Sequence, residues 1–378
     1  MRILYILKHN PWGIGGGCYA CRNYLELFTE VFKDSCFDVL ICSEYLESQI
    51  SKDFVNCTFY PVSPRNKISQ YLSPITQILH RHQQVAVSMI KKNQYDYCIF
   101  DHNSIAGSLV SICKKKGVKT IVLNHNCELE YFRDNNSRLK NLLLLPSVRK
   151  NERKAYLKCD YNIFLTDEDR DLFKNIYGES RTKAIEGGCF YGKDEVIEEN
   201  LLPFNVECPI VVISGTVGNA QNLDGINYFL SELYPSLPDN VSIVIAGKNP
   251  PHELIKKIEH FPNIRVIANP QNILDVVRKC DIFLCPTRLG GGMKLRIMDG
   301  LRCGLPVLSH RVSARGYKDF EKKGFMYEFD SADEFSRAFE QIFNLIKQNK
   351  QLRKEIVIAT KCVTFCCKLN LLKNLIEK

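Results

Sequence analysis

The sequence has no run of about eighteen uncharged apolar residues, so it offers no candidate for a membrane-spanning helix. A signal-peptide pattern is missing as well. The opening MRILYILKHNPW is a short apolar run with Lys8 and His9 behind it, and no small-residue cleavage site follows. It reads as a first strand, and the protein as cytoplasmic. The 17 cysteines are scattered and odd in number, which fits a reducing compartment better than a disulfide framework. Cys18-Tyr-Ala-Cys21 has no second pair at zinc-site spacing and no strand before it in a thioredoxin-like context. No G-x-G-x-x-G follows the first strand with an acid about twenty residues on, which disfavours a nicotinamide dehydrogenase. Short-period repeats and low-complexity segments are lacking too.

What is present is a chain of 378 residues with 45% hydrophobic content, long enough for two domains with real cores. Short Val/Ile/Leu/Cys/Phe runs alternate with longer helical patterns. In the first half the expected strands are Arg2–Leu7, Asp38–Cys42, Tyr97–Phe100, Thr120–Leu123 and Asn162–Leu165. In the second they are Ile210–Ser214, Ser242–Ala246, Ile264–Ile267, Asp281–Cys285 and Pro306–Ser309. Continuous apolar runs mark strands covered on both faces, and helices are expected between them, such as Tyr19–Phe32 and Gly225–Leu233. The pattern is α/β, with two Rossmann-like parallel-sheet domains. Their boundary is expected near Gly187–Pro209, with ligands in a central cleft at the carboxyl ends of the strands.

The net charge of +9 is modest but uneven. Lys114, Lys115, Lys116 and Lys119 form one cluster; the segment 133–158 carries eight Lys and Arg against Asp134 and Glu152. A solvated helix face is one reading. The other is a patch for an anionic membrane surface or a phosphate-bearing partner. Nucleic acid is disfavoured, since Tyr131, Phe132 and Tyr156 are not interleaved as a stacking platform requires.

The segment LGGGMKLRIMDGLRCGLPVLS (Leu289–Ser309) carries the most chemistry. Its glycines leave the strand DIFLCP and precede an amphipathic segment, Leu295–Cys303. Glycine amides at a helix N-terminus, with Arg288 and Lys294 at the ends of the loop, make an anion site suited to a diphosphate.

In sequence order, ISGTVGNAQNLDGINYFL (Ile213–Leu230), VIAGKNPP and the block from Cys280 to Ser309 resemble the donor domain of GT-B glycosyltransferases, in particular the retaining group-1 (family four) enzymes. The first half agrees more loosely, through MRILYILKHNPWGIGGG, LNHNCELEYFRD and YNIFLTDEDRDLF. The resemblance implies an acceptor domain over 1–195, a nucleotide-sugar donor domain over 205–355, and a C-terminal helix in 356–378 crossing back to the first domain. The implied reaction moves a sugar from a nucleotide diphosphate-sugar to an acceptor hydroxyl, with retention, in cell-surface polysaccharide or glycoconjugate assembly. The acceptor would be a glycan, a lipid-linked molecule or a protein, with peripheral contact to an anionic membrane on its inner face.

The resemblance also assigns residues. Lys294, Arg288 and the glycine amides would stabilise charge on the leaving diphosphate. Gly215, Thr216, Gly218, Lys248, Gly290, Gly291, Gly292 and Met293 would surround the donor, with Asp299 accepting from ribose hydroxyls. His102 would hydrogen-bond the donor sugar or receive the acceptor proton. Gly15, Gly16, Gly17, His125 and Glu128 would shape the acceptor side. The family's pair of carboxylates eight residues apart falls on Gly291 and Asp299, so the first acid is missing; the cations after the Ile210 strand fall on Thr216 and Gln221. A nucleotide-sugar 2-epimerase of the same fold and a non-catalytic nucleotide-sugar binder stay open as alternatives. No cofactor and no metal are expected: Asp167 and Asp169 in TDEDRD have D-x-D spacing, but they open a helix behind the N-cap candidates Thr166 and Asp167.

Overall fold

The computed structural model describes residues 1–13, 16–43, 54–62, 80–193, 195 and 201–376. Gly15 lies outside them. The chain divides into two compact units, Met1–Lys193 with Val363–Lys378, and Asp194–Cys362.

In the first unit the order is β1 (Arg2–Leu7), α1 (Gly16–Val31), β2 (Cys36–Ile41), β3 (Cys57–Pro61), α2 (His80–Lys92), β4 (Tyr97–Asp101), α3 (Asn103–Lys115), β5 (Lys119–Asn124), α4 (Glu128–Asn135), α5 (Arg138–Lys158), β6 (Tyr161–Phe164), α6 (Asp167–Tyr177) and β7 (Lys183–Glu186). The strands form one parallel sheet in the order β3-β2-β1-β4-β5-β6-β7. Every residue of β4 is buried, as are the last five of β1 and of β5. This is why these segments read as continuous apolar runs: helices cover both faces. Leu4, Ile6, Phe100, Val122 and Leu109 meet in one core cluster, and each such side chain contributes about 1.5–3 kcal/mol by leaving water.

The second unit repeats the plan: β8 (Ile210–Thr216), α7 (Ala220–Tyr228), β9 (Ser242–Lys248), α8 (His252–Ile258), β10 (Ile264–Ala268), α9 (Leu274–Val277), β11 (Ile282–Cys285), α10 (Arg296–Arg302), β12 (Val307–His310), α11 (Lys318–Lys322), β13 (Met326–Phe329), α12 (Ala332–Gln348) and α13 (Leu352–Ala359). Its six strands are parallel in the order β10-β9-β8-β11-β12-β13. The final helix, α14 (Phe365–Ile376), belongs to the first unit, where Tyr191 bridges to Thr364. In both sheets the strand order reverses beside the first strand, between β1 and β4 and between β8 and β11. At such a switch point neighbouring connections leave in opposite directions, opening a crevice at the strands' carboxyl ends. No helix among the described residues is long and apolar enough to cross a membrane.

Strand boundaries shift by a residue or two from those expected, and α1 starts three residues before the helix expected at Tyr19. Three strands, β3, β7 and β13, are additional. The expected helix Gly225–Leu233 is instead α7 followed by a π turn at Phe229–Leu233, with a 3-10 turn carrying Pro235 next.

One buried ion pair anchors the second unit. Asp281, just before β11, accepts from the N–H groups of Asn205 (2.9 Å) and Ile210 (2.8 Å) and from Arg353 (3.3 Å). Arg353 also donates to the carbonyls of Cys280 (2.7 Å) and Cys303 (3.3 Å). Asp281→Ala leaves a buried guanidinium uncompensated, and denaturant unfolding should show a loss of about 3–5 kcal/mol. A loss within that of ordinary surface variants would contradict this role.

Candidate functional site

The switch point of the first unit gathers titratable side chains. Asp101 closes β4 and is fully buried; His102 follows it, His125 follows β5, and Lys8 and His9 follow β1. His125 Nε2 bonds Asp101 Oδ1. His102 Nδ1 lies 2.5 Å from the backbone oxygen of Asp101, and its ring stacks on His125 with centroids 4.0 Å apart and planes at 12°. His9 meets His102 edge-on at 5.0 Å. A carbonyl can only accept, so Nδ1 of His102 carries the proton and Nε2 is left with its lone pair free to accept.

Burial works against the Asp101 charge, yet His125 and His102 hold its pKa well below the usual carboxylate range. Burial drives His102 well below its ordinary value, and His125 adds to the effect. His9 falls to about 4, through burial and Lys8. His102 also sits at φ 129°, a conformation that L-residues rarely adopt and that the surroundings must hold in place. The signal for His102 was present in the sequence; Asp101 as its anchor was not read from it.

Glu128, the first residue of α4, pairs with Lys8 at 2.7 Å and is buried. Its backbone N–H donates to Glu152 Oε1 (2.7 Å), and Asn103 (2.9 Å) and Tyr177 (2.6 Å) donate to the same carboxylate. Glu152 lies in α5, and burial raises its pKa to about 7. Sequence reading treated it only as one acid within a basic segment. Gly16 and Gly17 are the first residues of α1.

Metal ligation can be judged from geometry. Among the described residues Cys21, Asp101, His102 and His125 each bring a ligand atom within 4.8 Å of the others. An imidazole binds a metal close to its own ring plane. The two histidine rings are stacked nearly parallel, so an ion in the plane of one stands well off the plane of the other. As placed, the cluster is a hydrogen-bonded stack. In TDEDRD, Thr166 caps α6 by accepting from Asp169 N–H (3.0 Å), and the Asp169 side chain is buried.

At the switch point of the second unit, β8 ends at Gly215 and Thr216, β9 at Lys248, and β11 leads into the glycine loop. Gly290 (φ 84°) and Gly292 (φ 71°) adopt left-handed conformations, which explains the run of glycines. A Cβ on Gly290 would also strike the Gln221 side chain at 2.5 Å. The loop precedes α10, which starts at Arg296, one residue after the helix start expected at Leu295. Met293 and Gly291 are half-buried within it.

The cations divide their work. Lys294 Nζ folds back to the carbonyls of Gly290 (3.4 Å) and Gly291 (3.3 Å), and Tyr317 donates to its backbone oxygen (3.0 Å). Arg288 makes two bonds to Asp224 (2.9 and 3.3 Å) and lies over the Tyr228 ring at 4.7 Å. Its charge is already met by a carboxylate, contrary to the free cation expected. Arg296 follows Lys294 as a second basic residue after the glycines, a pattern that points to an anion in the sequence alone, but the resemblance assigns it no role. It donates to the Ser214 carbonyl (3.4 Å), and with Gly215, Asn222 and Thr287 it lines a small open recess. A Cβ on Gly215 would stand 3.2 Å from its guanidinium. Gly218 packs on Asn249, whose backbone oxygen a Cβ there would meet at 2.4 Å. Thr216 and Lys248 are exposed at the strand ends. Burial raises the Asp299 carboxyl to about 7, opposed by Arg302 and helped by Glu195. Arg302 itself pairs with Glu195 at 2.9 Å.

Residues 208–344 match the family model described as Glycosyl transferases group 1. The matched segment lies within the second unit and is similar there to group 1 glycosyl transferases. No curated protein matches the chain in sequence. Among solved structures, sucrose-phosphate synthase from Thermosynechococcus elongatus is similar at 10% identity and TM-score 0.70, over 100% of this chain and 98% of that one. WaaG, a glycosyltransferase involved in lipopolysaccharide biosynthesis, is similar at 12% identity and TM-score 0.69, over 99% of each chain. HepE of Anabaena, solved in complex with UDP, is similar at 11% identity and TM-score 0.65, over 100% of each. The GT-B fold implied by the resemblance is thus met, and the group 1 likeness is met over residues 208–344.

The stacked histidines give a pH-dependent signature. The unfolded chain takes up a proton at His102 near its ordinary pKa of about 6.5, whereas the native state refuses it. Native stability from this group is therefore intact above that pH and lost as pH falls below it. The stability difference between wild type and His102→Gln should shrink as pH is lowered from about 7 to 5. A difference independent of pH would show that the imidazole is not held neutral.

Proposed function

We propose that the chain transfers a sugar from a nucleotide diphosphate-sugar to an acceptor hydroxyl, with retention, in the assembly of a cell-surface polysaccharide or glycoconjugate. The carrying observation is the match of residues 208–344 to the group 1 glycosyl transferase model, in a unit where Arg296 lines a recess with Gly215 and Thr287 and Lys294 folds onto the carbonyls of the glycine loop that follows β11. UDP in the HepE complex and the lipopolysaccharide pathway of WaaG support a nucleotide-sugar donor and a surface glycan.

In this reading the diphosphate lies against the loop near Gly215, and its growing charge is met by Arg296 and by Lys294 once released from its loop carbonyls. Arg288 serves chiefly to hold Asp224 and Tyr228. Thr216, Lys248 and the backbone around Gly218 flank the donor, and Asp299 meets the ribose in its protonated or ionised form. No divalent cation is needed on the diphosphate, and no cofactor. In the first unit, neutral His102 accepts a hydrogen bond at Nε2 from a hydroxyl of the donor sugar, while His125 and Glu128, with Gly16 and Gly17, shape the acceptor side. The protein works in the cytoplasm, and a lipid-linked acceptor would bring it to the inner face of a membrane.

A second reading has its own observation. A nucleotide-sugar 2-epimerase needs several acids and histidines together, and Asp101, His102, His125 and Glu128 supply such a group. Donor incubated alone gives an epimer in that case; donor with acceptor gives a new glycoside in the first.

Arg296→Ala should slow transfer by about 10²-fold and weaken donor binding, because a charge partner of the leaving group is lost. Arg288→Ala should cost much less. A thermal-shift series with UDP-, GDP-, ADP- and CMP-sugars reports the binding, since a ligand of the folded state alone raises the melting temperature. Equal effects of the two variants, or none from Arg296, would remove the assignment.

A further inference from the structure

Helix α5 presents an exposed face whose character changes along its length. Leu139, Leu142 and Leu143 are 79%, 74% and 76% exposed. They sit at i, i+3 and i+4, so they share one side of the helix, and the exposed Pro146 continues it one turn on. The same side runs on through Arg149, Lys150 and Arg153, all exposed. The buried side is separate: Glu152, Ala155 and Tyr156 face the unit's interior. Three adjacent leucines in water oppose the hydrophobic effect and call for a partner.

We propose that this face docks on the surface of an anionic lipid bilayer, with the leucines entering the boundary between headgroups and chains and the basic side chains meeting lipid phosphates. Charge complementarity selects this occupant. An apolar patch continued by three cations and flanked by Arg138 and Lys140 matches an interface that is apolar below and anionic above. A second copy of the chain would bring the same cations, on a protein of net charge +9, against them. The surface deepens the reading of a lipid-linked acceptor, but vesicle binding is measured without donor or acceptor and stands or falls apart from transfer.

The test is co-sedimentation of the full chain with vesicles of phosphatidylcholine alone and of phosphatidylcholine with phosphatidylglycerol. Wild type should bind the anionic vesicles and lose binding as salt screens the charges. The triple variant Leu139→Asn, Leu142→Asn, Leu143→Asn should bind about tenfold or more weakly at every salt concentration, since insertion is lost. The triple variant Arg149→Gln, Lys150→Gln, Arg153→Gln should bind more weakly and with a flatter salt dependence. All six side chains are exposed, so both proteins should keep the wild-type melting temperature; the single variant Leu142→Asp is the control if one does not. Equal binding to both vesicles, no binding to either, or unchanged binding by the leucine variants would overturn the proposal. So would a wild-type dimer in light scattering that the leucine variant dissolves, which would give the face to a second copy.

Discussion

A parallel sheet puts all its strands' carboxyl ends on one edge, and that constraint governs what this chain can do. Each strand must return through a crossover, so loops of similar direction collect at one end. Where the strand order reverses, a crevice opens without any further design. The chain meets this constraint twice, with strand orders that correspond strand for strand apart from β7. It fills the two ends differently. The first unit places a buried carboxylate and three imidazoles there, the second a glycine loop with arginine and lysine. One end suits proton chemistry and the other suits an anion.

The two ends also differ in how charge is held. Asp101 keeps its charge in the interior because His125 bonds it directly and His102 packs on that pair. Isolated, such a carboxylate would protonate. In the second unit the cations are held by neutral carbonyls or by a surface acid. Arg288 is committed to Asp224, while Lys294 and Arg296 rest on backbone oxygens. Bonds of those kinds differ in what an incoming diphosphate must displace. Carbonyls surrender a cation more readily than a carboxylate does.

The interior strands were legible because burial on both faces leaves an unbroken apolar run in the sequence. The three strands not foreseen, β3, β7 and β13, all lie at sheet edges. Their burial is partial, as in CTFYP and KAIE, so the apolar signal is broken. His102, Lys294 and the glycine loop could be named because each follows a strand end. Arg296 was legible as a basic residue after the glycines, but its role was not, because in a linear motif nothing shows that Gly215 leaves room for its guanidinium. Asp101, Glu152 and the Asp281–Arg353 pair depend on contacts dozens of residues apart, which a single sequence does not encode locally.

The central claim is that the diphosphate of a nucleotide-sugar is met by the loop after β11 and by Arg296 of α10, whose side chain reaches the end of β8. A crystal structure of the protein with a bound UDP-sugar, or with whichever donor raises its melting temperature, tests this most directly. The account predicts phosphate oxygens within hydrogen-bonding distance of the Arg296 guanidinium and the amides of the Gly290–Gly292 loop, with Lys294 turned away from its loop carbonyls. A diphosphate bound elsewhere, with Arg296 still on the Ser214 carbonyl and Lys294 unmoved, would contradict it.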